Sequence, residues 1–461
     1  MTPTFGCNYP QTADLRYNAL IMKTRFAIDL LCFWLVLGAW QVCKAQSNPL
    51  FFIRLSNGLT VVVKERHSVP LVAIDLWMRA GAREERNGED GAAHFLEHML
   101  FRGTTERPGE GADVAAERFG ASLDAETGPD ALHIYTTVEV AHFAPVLHII
   151  GDVAQHAALP DSAMEKERGI ILDELAHREA DPIDRLITLL YTHTYSSKAP
   201  YHRSPGGTPE GIALRARDTL MAFYQRCCTP DRSVLVLVGD VTPKQALPEV
   251  EQVFGGWQVA AATTPQTLVE QEPQWPEVAL LTVKGSGAQW MAGVALRAPR
   301  AANKTMVAAG FVVANLLQMV FADHDPEADL QVHFSPRRDP SLYILTFRAD
   351  SQERLRQRGL ELIHLLQQLR LSVPTEPFLE ARQRAIGRLD YQTETDEGYA
   401  AAIGEALTTD GDLPDRLRER LQNLTLQDIQ SFLSRYLNPQ NAFTVIMEPA
   451  SSTNAPAGSR P

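Results

Sequence analysis

Cysteine is scarce in this chain: five in 461 residues, and two of the five, Cys227 and Cys228, are neighbours. Adjacent cysteines are too close for an ordinary loop-closing disulfide. The other three, Cys7, Cys32 and Cys43, fall in the first 45 residues. No disulfide framework supports the fold, so its stability must come from core burial. Long basic runs are also absent. With 43 Lys+Arg against 56 Asp+Glu the net charge is −13, which argues against a nucleic-acid partner. Compositional bias is missing too. Forty-five per cent hydrophobic and 21% charged residues, with 29 glycines and 29 prolines, exclude collagen-like, coiled-coil and disordered chains. What remains is a globular protein long enough for two large domains or three small ones.

The N-terminus stands apart. From Met22, Lys23 and Arg25 form a charged start, Phe26 to Val42 an apolar run, and Cys43-Lys44-Ala45 a small-residue approach to a cut before Gln46. This is the pattern of a secretory signal peptide, with residues 1–21 an upstream extension. It predicts export to the periplasm with no stable membrane insertion after cleavage. An uncleaved anchor through residues 26–42 is the alternative, since that run approaches the length of a spanning helix. Asp29 inside the run weighs against it. Removal of residues 1–45 leaves 39 basic and 54 acidic side chains, a net of −15.

After Gln46 the pattern alternates strands and helices. Phe52–Leu55 and Leu59–Val63 flank the turn signal Ser56-Asn57-Gly58. Strands are predicted at Val69–Met78, Leu132–Val138 and Ser233–Val238. Helices are predicted at Gly91–Phe101, Pro145–Ala158, Ser162–Ala180 and Asp218–Cys228. Residues 259–276, rich in Ala, Thr, Gln and Pro, read as a linker. Beyond it the programme restarts, with strands at Val278–Val283, Met291–Leu296, Leu330–Phe334 and Leu342–Arg348. The accompanying helices are Thr305–Met319, Glu353–Leu371, Glu376–Thr393 and Gly398–Leu407.

An echo links the two parts. Leu220, Phe223 and Pro230 precede SVLVLVGD, and Ile429, Phe432 and Pro439 precede AFTVIME with the same offsets. The reading is an α+β protein of two duplicated, mixed α/β sandwich halves. Its parts are 1–45 extension and signal, 46–258 first half, 259–276 linker, 277–449 second half and 450–461 disordered tail.

The sharpest motif is His94-Phe95-Leu96-Glu97-His98. On a helix His94 and His98, four apart, present two imidazoles on one face. Glu97 lies beside that face, where it can reach a metal-activated water without ligating the ion. This order inverts the HExxH zinc-protease motif. A catalytic zinc needs a third protein ligand, and Glu174, with seventy-five residues between it and His98, is the candidate. Glu167 lies two turns earlier on the same helical face and would orient a ligand histidine. Asp173, Glu165 and Glu179 compete with Glu174, and spacing alone does not choose among them. His133, His142, His148, His156, His177, His193 and His202 are scattered and read as structural or exposed. Cys227 and Cys228 read as buried thiols.

The surroundings of the motif resemble the pitrilysin/insulinase family of inverted zincins, the mitochondrial-processing-peptidase group included. The stretch DLWMRAGAREERNGEDGAAHFLEHMLFRGT, Asp75 to Thr104, looks like that family's metal-binding segment. GASLDAETGPDALHIYTTV, Gly120 to Val138, is similar to its substrate-pairing strand. EKERGIILDEL looks like the third-ligand helix, and YHRSPGGTPEGI with VLVLVGDVTP resembles the close of the family's first half. The resemblance covers nearly all the chain beyond residue 45. It implies one Zn2+ on His94, His98 and Glu174, with Glu97 as general base. It also implies an extended peptide substrate along Ser122, Leu123, Asp124, Ala125 and Glu126, bound by edge pairing.

One departure qualifies it. Catalytically complete members carry an Arg and, seven residues on, a Tyr in the second half. In NLLQMVFADHDPEADLQVHFSPRRDPSLYIL, Asp323 and Leu330 fall where that pair is expected, and Arg337 and Tyr343 sit six apart and later. Family heterodimers pair a zinc-bearing subunit with a zinc-less one carrying the Arg and Tyr. The expectation is therefore a zinc endopeptidase working as the zinc-bearing half of a heterodimer, with a homodimer as the other assembly. A non-catalytic scaffold that keeps the fold is the alternative from a different class.

Overall fold

The strands of the first sheet, richest in β-branched residues at β2 and β6, are β1 (Phe51–Arg54), β2 (Thr60–Glu65), β3 (Leu71–Met78), β4 (Asp124–Thr127), β5 (Leu132–Glu139) and β6 (Ser233–Gly239). The second sheet holds β7 (Leu280–Lys284), β8 (Trp290–Arg297), β9 (Gln331–His333), β10 (Leu342–Ala349) and β11 (Phe443–Glu448). These come from a computed structural model that describes residues 49–259, 273 and 279–450. The signal-peptide and anchor readings, nearly all of the linker and the tail beyond residue 450 lie outside the described residues.

The helices of the first part are α1 (Ala92–Leu100), α2 (Ala112–Glu117), α3 (Phe143–His156), α4 (Asp161–Ala180), α5 (Pro182–Thr194), α6 (Pro209–Ala213), α7 (Arg217–Cys227) and α8 (Pro243–Phe254). Those of the second are α9 (Lys304–His324), α10 (Gln352–Leu371), α11 (Thr375–Gln392), α12 (Asp396–Thr409), α13 (Pro414–Asn423) and α14 (Leu426–Tyr436). Most expected elements lie within a few residues of these bounds. The helix α5 had no counterpart in the sequence reading. It is a separate helix because Asp181 ends α4 in an extended conformation and then caps α5, accepting from the Ile183 and Asp184 amides, with Pro182 in the first turn. The strand expected from Val278 begins at Leu280.

The two sheets share one plan. The first runs β1-β2-β6-β3-β5-β4 and the second β7-β11-β8-β10-β9. In each, one parallel pair, β2 with β6 and β7 with β11, is followed by antiparallel neighbours. The echo also has a structural form. Leu220 and Phe223 on α7, and Ile429 and Phe432 on α14, are all fully buried. Each helix leads through a one-turn 3-10 segment starting at Pro230 or Pro439 into an interior strand, β6 or β11. The chain is thus an α+β protein of two related mixed sandwich halves.

The halves exchange a helix. Each sheet buries one face under its own helices. The opposite face of the first sheet, Val62, Ala73, Val234, Val236 and Val238, is covered by Tyr399, Ala400 and Ile403 of α12. Reciprocally, Leu186 and Leu190 of α5 cover Ala295, Ile344, Phe443 and Val445 of the second sheet. Each fully buried aliphatic side chain of this kind contributes about 1.5–3 kcal/mol. From Leu50 onward the described residues form one compact unit. A division at residues 259–276 therefore separates two sheets along the chain, but not two self-sufficient cores.

Candidate metal centre

The helix α1 starts abruptly because Gly91 adopts a left-handed conformation (φ 81°), and a Cβ there would stand 2.6 Å from Ile212 Cδ1. No side chain caps the helix locally. The fully buried Glu85 instead accepts hydrogen bonds from the amides of Gly91, at 3.2 Å, and Ala93, at 3.0 Å. Burial pushes the Glu85 carboxyl up to about 8 against the opposing pull of those amides. Nothing local in the sequence marks Glu85, since its partners lie six and eight residues away.

One turn apart on α1, the imidazoles of His94 and His98 meet nearly edge to face, with centroids 4.9 Å apart. Glu174 of α4 completes the group. Its Oε2 lies 3.4 Å from His94 Nε2 and 3.6 Å from His98 Nε2. All three donor atoms fall within 4.8 Å of one another, and no other such group of three occurs among the described residues. These separations exceed a hydrogen bond. They match the edge of about 3.4 Å of a tetrahedron with the bond lengths near 2.1 Å that zinc makes to nitrogen and oxygen. Burial, with His98 beside it, pushes His94 down to about 4, so its ring is neutral and able to ligate at neutral pH. Two imidazoles and one carboxylate thus fit a zinc ion in chemistry and spacing.

The competitors of Glu174 lie outside the group. Glu165 pairs with Arg168 at 3.3 Å and Glu179 with Arg185 at 2.8 Å, while the exposed Asp173 offers its carbonyl to His177. Glu167 is fully buried and bonds His98 Nδ1 through Oε2 at 3.3 Å. Its Oε1 lies 3.0 Å from Arg102 Nε. This fixes the His98 ring with Nε2 toward Glu174. Arg102, which neutralises Glu167, was not singled out in the sequence.

Glu97 projects beside the cluster, towards β4. Burial pushes its carboxyl up to about 7, the Thr127 hydroxyl bonding to it pulls it down, and the Glu174 charge raises it further. Thr127 Oγ1 also lies 3.5 Å from the Ala93 carbonyl, so strand and helix meet at Glu97. The strand β4 is the outermost in its sheet, with β5 as its neighbour. Of the expected substrate residues, Asp124, Ala125 and Glu126 belong to β4. Ser122 and Leu123 precede it: the Ser122 carbonyl accepts from Thr136 Oγ1, and Leu123 is buried in the core. Thr127, the strand residue that touches Glu97, was not among those expected.

Arg337 and Tyr343 are both held in packing. Leu330 is buried in the second core, and Tyr343 is fully buried with its hydroxyl donating to the Gly310 carbonyl. The Arg337 guanidinium lies over the rings of Tyr191, at 4.5 Å, and Tyr201, at 5.1 Å. Asp323 is exposed near the end of α9. Cys227 and Cys228 are free and buried, as expected, and burial pushes the Cys227 thiol up to about 11.

Comparison with known proteins agrees with this architecture. The model of the insulinase family, peptidase family M16, matches residues 60–204, and that of the peptidase M16 inactive domain matches residues 216–316. The chain is 30% identical over 206 residues to the mitochondrial-processing peptidase subunit beta of Blastocladiella emersonii, covering 44% of this chain and 43% of that one. It is 31% identical over 201 residues to an uncharacterized zinc protease of Rickettsia bellii, covering 44% and 48%. The match to subunit 1 of the bovine cytochrome b-c1 complex is 30% over 203 residues, covering 44% and 42%. The matched region thus spans less than half the length of these relatives. Among solved structures, a protease from Helicobacter pylori has the same fold with a TM-score of 0.78 at 19% identity, covering 87% of this chain and 99% of the other. The first half of the periplasmic protease PqqL from Escherichia coli gives 0.69 at 18%, covering 87% and 92%. With matched segments at residues 60–204 and 216–316, together more than half its length, the chain belongs to the insulinase family of peptidases, family M16.

Proposed function

We propose that this protein is a zinc-dependent endopeptidase that cleaves extended peptides. The observation carrying the reading is the convergence of His94 Nε2, His98 Nε2 and Glu174 Oε2, with the Glu97 carboxyl on the adjoining face. One zinc per chain would be held by those three side chains, where it supplies Lewis-acid polarisation of a water and of the scissile carbonyl. Glu97 takes the proton from that water and delivers it to the leaving amine. Thr127 steadies Glu97 by its hydroxyl. Glu167 holds His98 in the required orientation. The outer edge of β4 offers backbone groups to an extended chain, which pairs there as an added strand.

Purified protein tests the division of roles. Glu97→Gln is expected to keep its zinc and lose cleavage of an unstructured fluorogenic peptide by at least about 100-fold. His94→Ala and Glu174→Ala are expected to lose the metal. Folded wild-type protein that retains no zinc would overturn the reading and leave the scaffold alternative standing. Export to the periplasm rests on the pattern of residues 1–45; a retained residue 1 after secretion would refute cleavage.

We infer further that the active form is a heterodimer. Arg337 and Tyr343 are committed to packing, so the missing positive charge and hydroxyl would come from a related subunit without the His-x-x-Glu-His motif. A homodimer is the second assembly. Co-expression with any related protein encoded beside this one is expected to raise activity. Full activity from the chain alone, unchanged by that partner, would refute the heterodimer.

A further inference from the structure

The face of the first sheet that α12 covers carries, at its β5–β4 margin, a polar cluster where apolar side chains would pack as well. Trp77, His133 and Glu126 stand directly opposite one another on β3, β5 and β4. His133 is buried and stacks on Trp77, with centroids 4.0 Å apart and planes at 19°, and on Tyr135, at 4.9 Å and 18°. Its Nδ1 lies 2.9 Å from Oδ1 of the buried Asp75, and its Nε2 lies 3.8 Å from Oε2 of Glu126. The Glu126 side chain itself is 74% exposed. Glu405 of α12 also faces this group.

The strand these contacts reach is weakly held. It has four residues and a single neighbouring strand, and short edge strands are among the first elements to open. By strand alternation Ala125 and Thr127 turn towards α1, where Ala125 packs on the core and Thr127 meets Glu97. Asp124 and Glu126 turn the other way. On that face Asp124 bonds its own neighbour's amide, so the ion pair from Glu126 to His133 is the tie that reaches β5 and β3.

We propose that His133 is a positioning residue for the substrate strand: by bridging buried Asp75 and exposed Glu126 it holds β4 in place, so that the free edge of β4 and the Thr127 hydroxyl beside Glu97 keep one geometry. The inference rests on the peptidase reading for its functional consequence, but not for its structural one. Its direction with pH follows from the groups around the ring. Asp75, Glu126 and Glu405 surround His133, and the hydrogen bonds and charges of Asp75 and Glu126 raise it to about 9 against desolvation. The tie is complete below the ordinary histidine value and is released as pH rises through about 9.

Two variants test this. His133→Phe keeps the stack on Trp77 and Tyr135 but removes the bridge. Glu126→Gln alters an exposed side chain and leaves the core untouched, so it guards against simple misfolding. Both are expected to raise KM for an unstructured peptide by roughly threefold to tenfold, with kcat changed far less and zinc content unchanged. The double variant should be no worse than either single one. Wild-type KM should climb above about pH 9, and that climb should be absent in His133→Phe. Amide exchange of residues 124–128 should quicken in both variants. Additive effects, or unchanged exchange with unchanged KM, would overturn the proposal. A wild-type protein that cleaves no peptide would defeat the peptidase reading alone, because the exchange measurement still decides whether His133 holds the strand.

Discussion

Gly404 of α12 lies against the indole of Trp77 on β3, so close that a Cβ at residue 404 would stand 2.1 Å from Trp77 Cδ1 and Nε1. The reciprocal contact has the same character: a Cβ on Gly293 of β8 would stand 2.8 Å from Leu186 Cγ of α5. At both docking points the second half supplies the glycine, on the helix it exports in one case and on the sheet that receives α5 in the other. Gly404→Ala is therefore expected to destabilise the protein by about 1–3 kcal/mol through overpacking. Gly387→Ala, in an exposed interior position of α11 with nothing within 4 Å of its Cβ, is the control. It should stabilise by about 0.5–1 kcal/mol. Denaturant unfolding of the two variants gives both values.

Glu167 should be needed for metal affinity and not for the fold as a whole. Removing its carboxylate in Glu167→Ala frees His98 Nδ1 and leaves Arg102 with the more distant Asp113, at 4.0 Å. Zinc affinity is expected to fall about 10-fold to 100-fold, as for other residues that orient a ligand histidine. Competition with a chelator of known affinity measures it. Loss no greater than that of a surface substitution would remove Glu167 from the site.

The capping carboxyl of Glu85 carries a pH signature. Its value in the folded protein is raised to about 8 from an ordinary 4.5, so the folded state holds a proton that the unfolded state has released. Stability should then decline as pH rises from about 4.5 to about 8, and level off above. Glu85→Gln cannot titrate, and it keeps one accepting oxygen where the Gly91 and Ala93 amides bond separate oxygens of Glu85, so it should be less stable overall. Its stability is expected to be flatter over that window, as urea unfolding at a series of pH values would show.

Cys227 and Cys228 should be silent in the native protein. Both thiols are buried, and burial raises each of them. Since the thiolate is the reactive form, neither should be alkylated by iodoacetamide at pH 8 until the protein is unfolded. Mass spectrometry of intact protein counts the adducts directly.

Much of this was written locally. His94, Glu97 and His98 share one helix, and a four-residue spacing is enough to bring two imidazoles together. The repeated Leu/Phe/Pro and Ile/Phe/Pro offsets read through to two helices, two 3-10 turns and two interior strands because each unit is contiguous. What stayed hidden depends on distant partners. The choice of Glu174 over Asp173, Glu165 and Glu179 needed the facing of α4 on α1, which spacing cannot supply. Glu85 and Thr127 act on α1 from outside it. Of the traded helices, α12 was expected as Gly398–Leu407 and α5 was not expected at all, and even an apolar stripe does not say which sheet it will cover.

The traded helices also set an order of events for a chain made from its N-terminus. The first sheet has all its strands once residue 239 has emerged, yet the helix that shields its second face ends at residue 409. For the intervening length of synthesis, a row of valines on β2 and β6 faces water. A nascent chain of this kind is a natural client for a holding chaperone, and its folding commits only near its end.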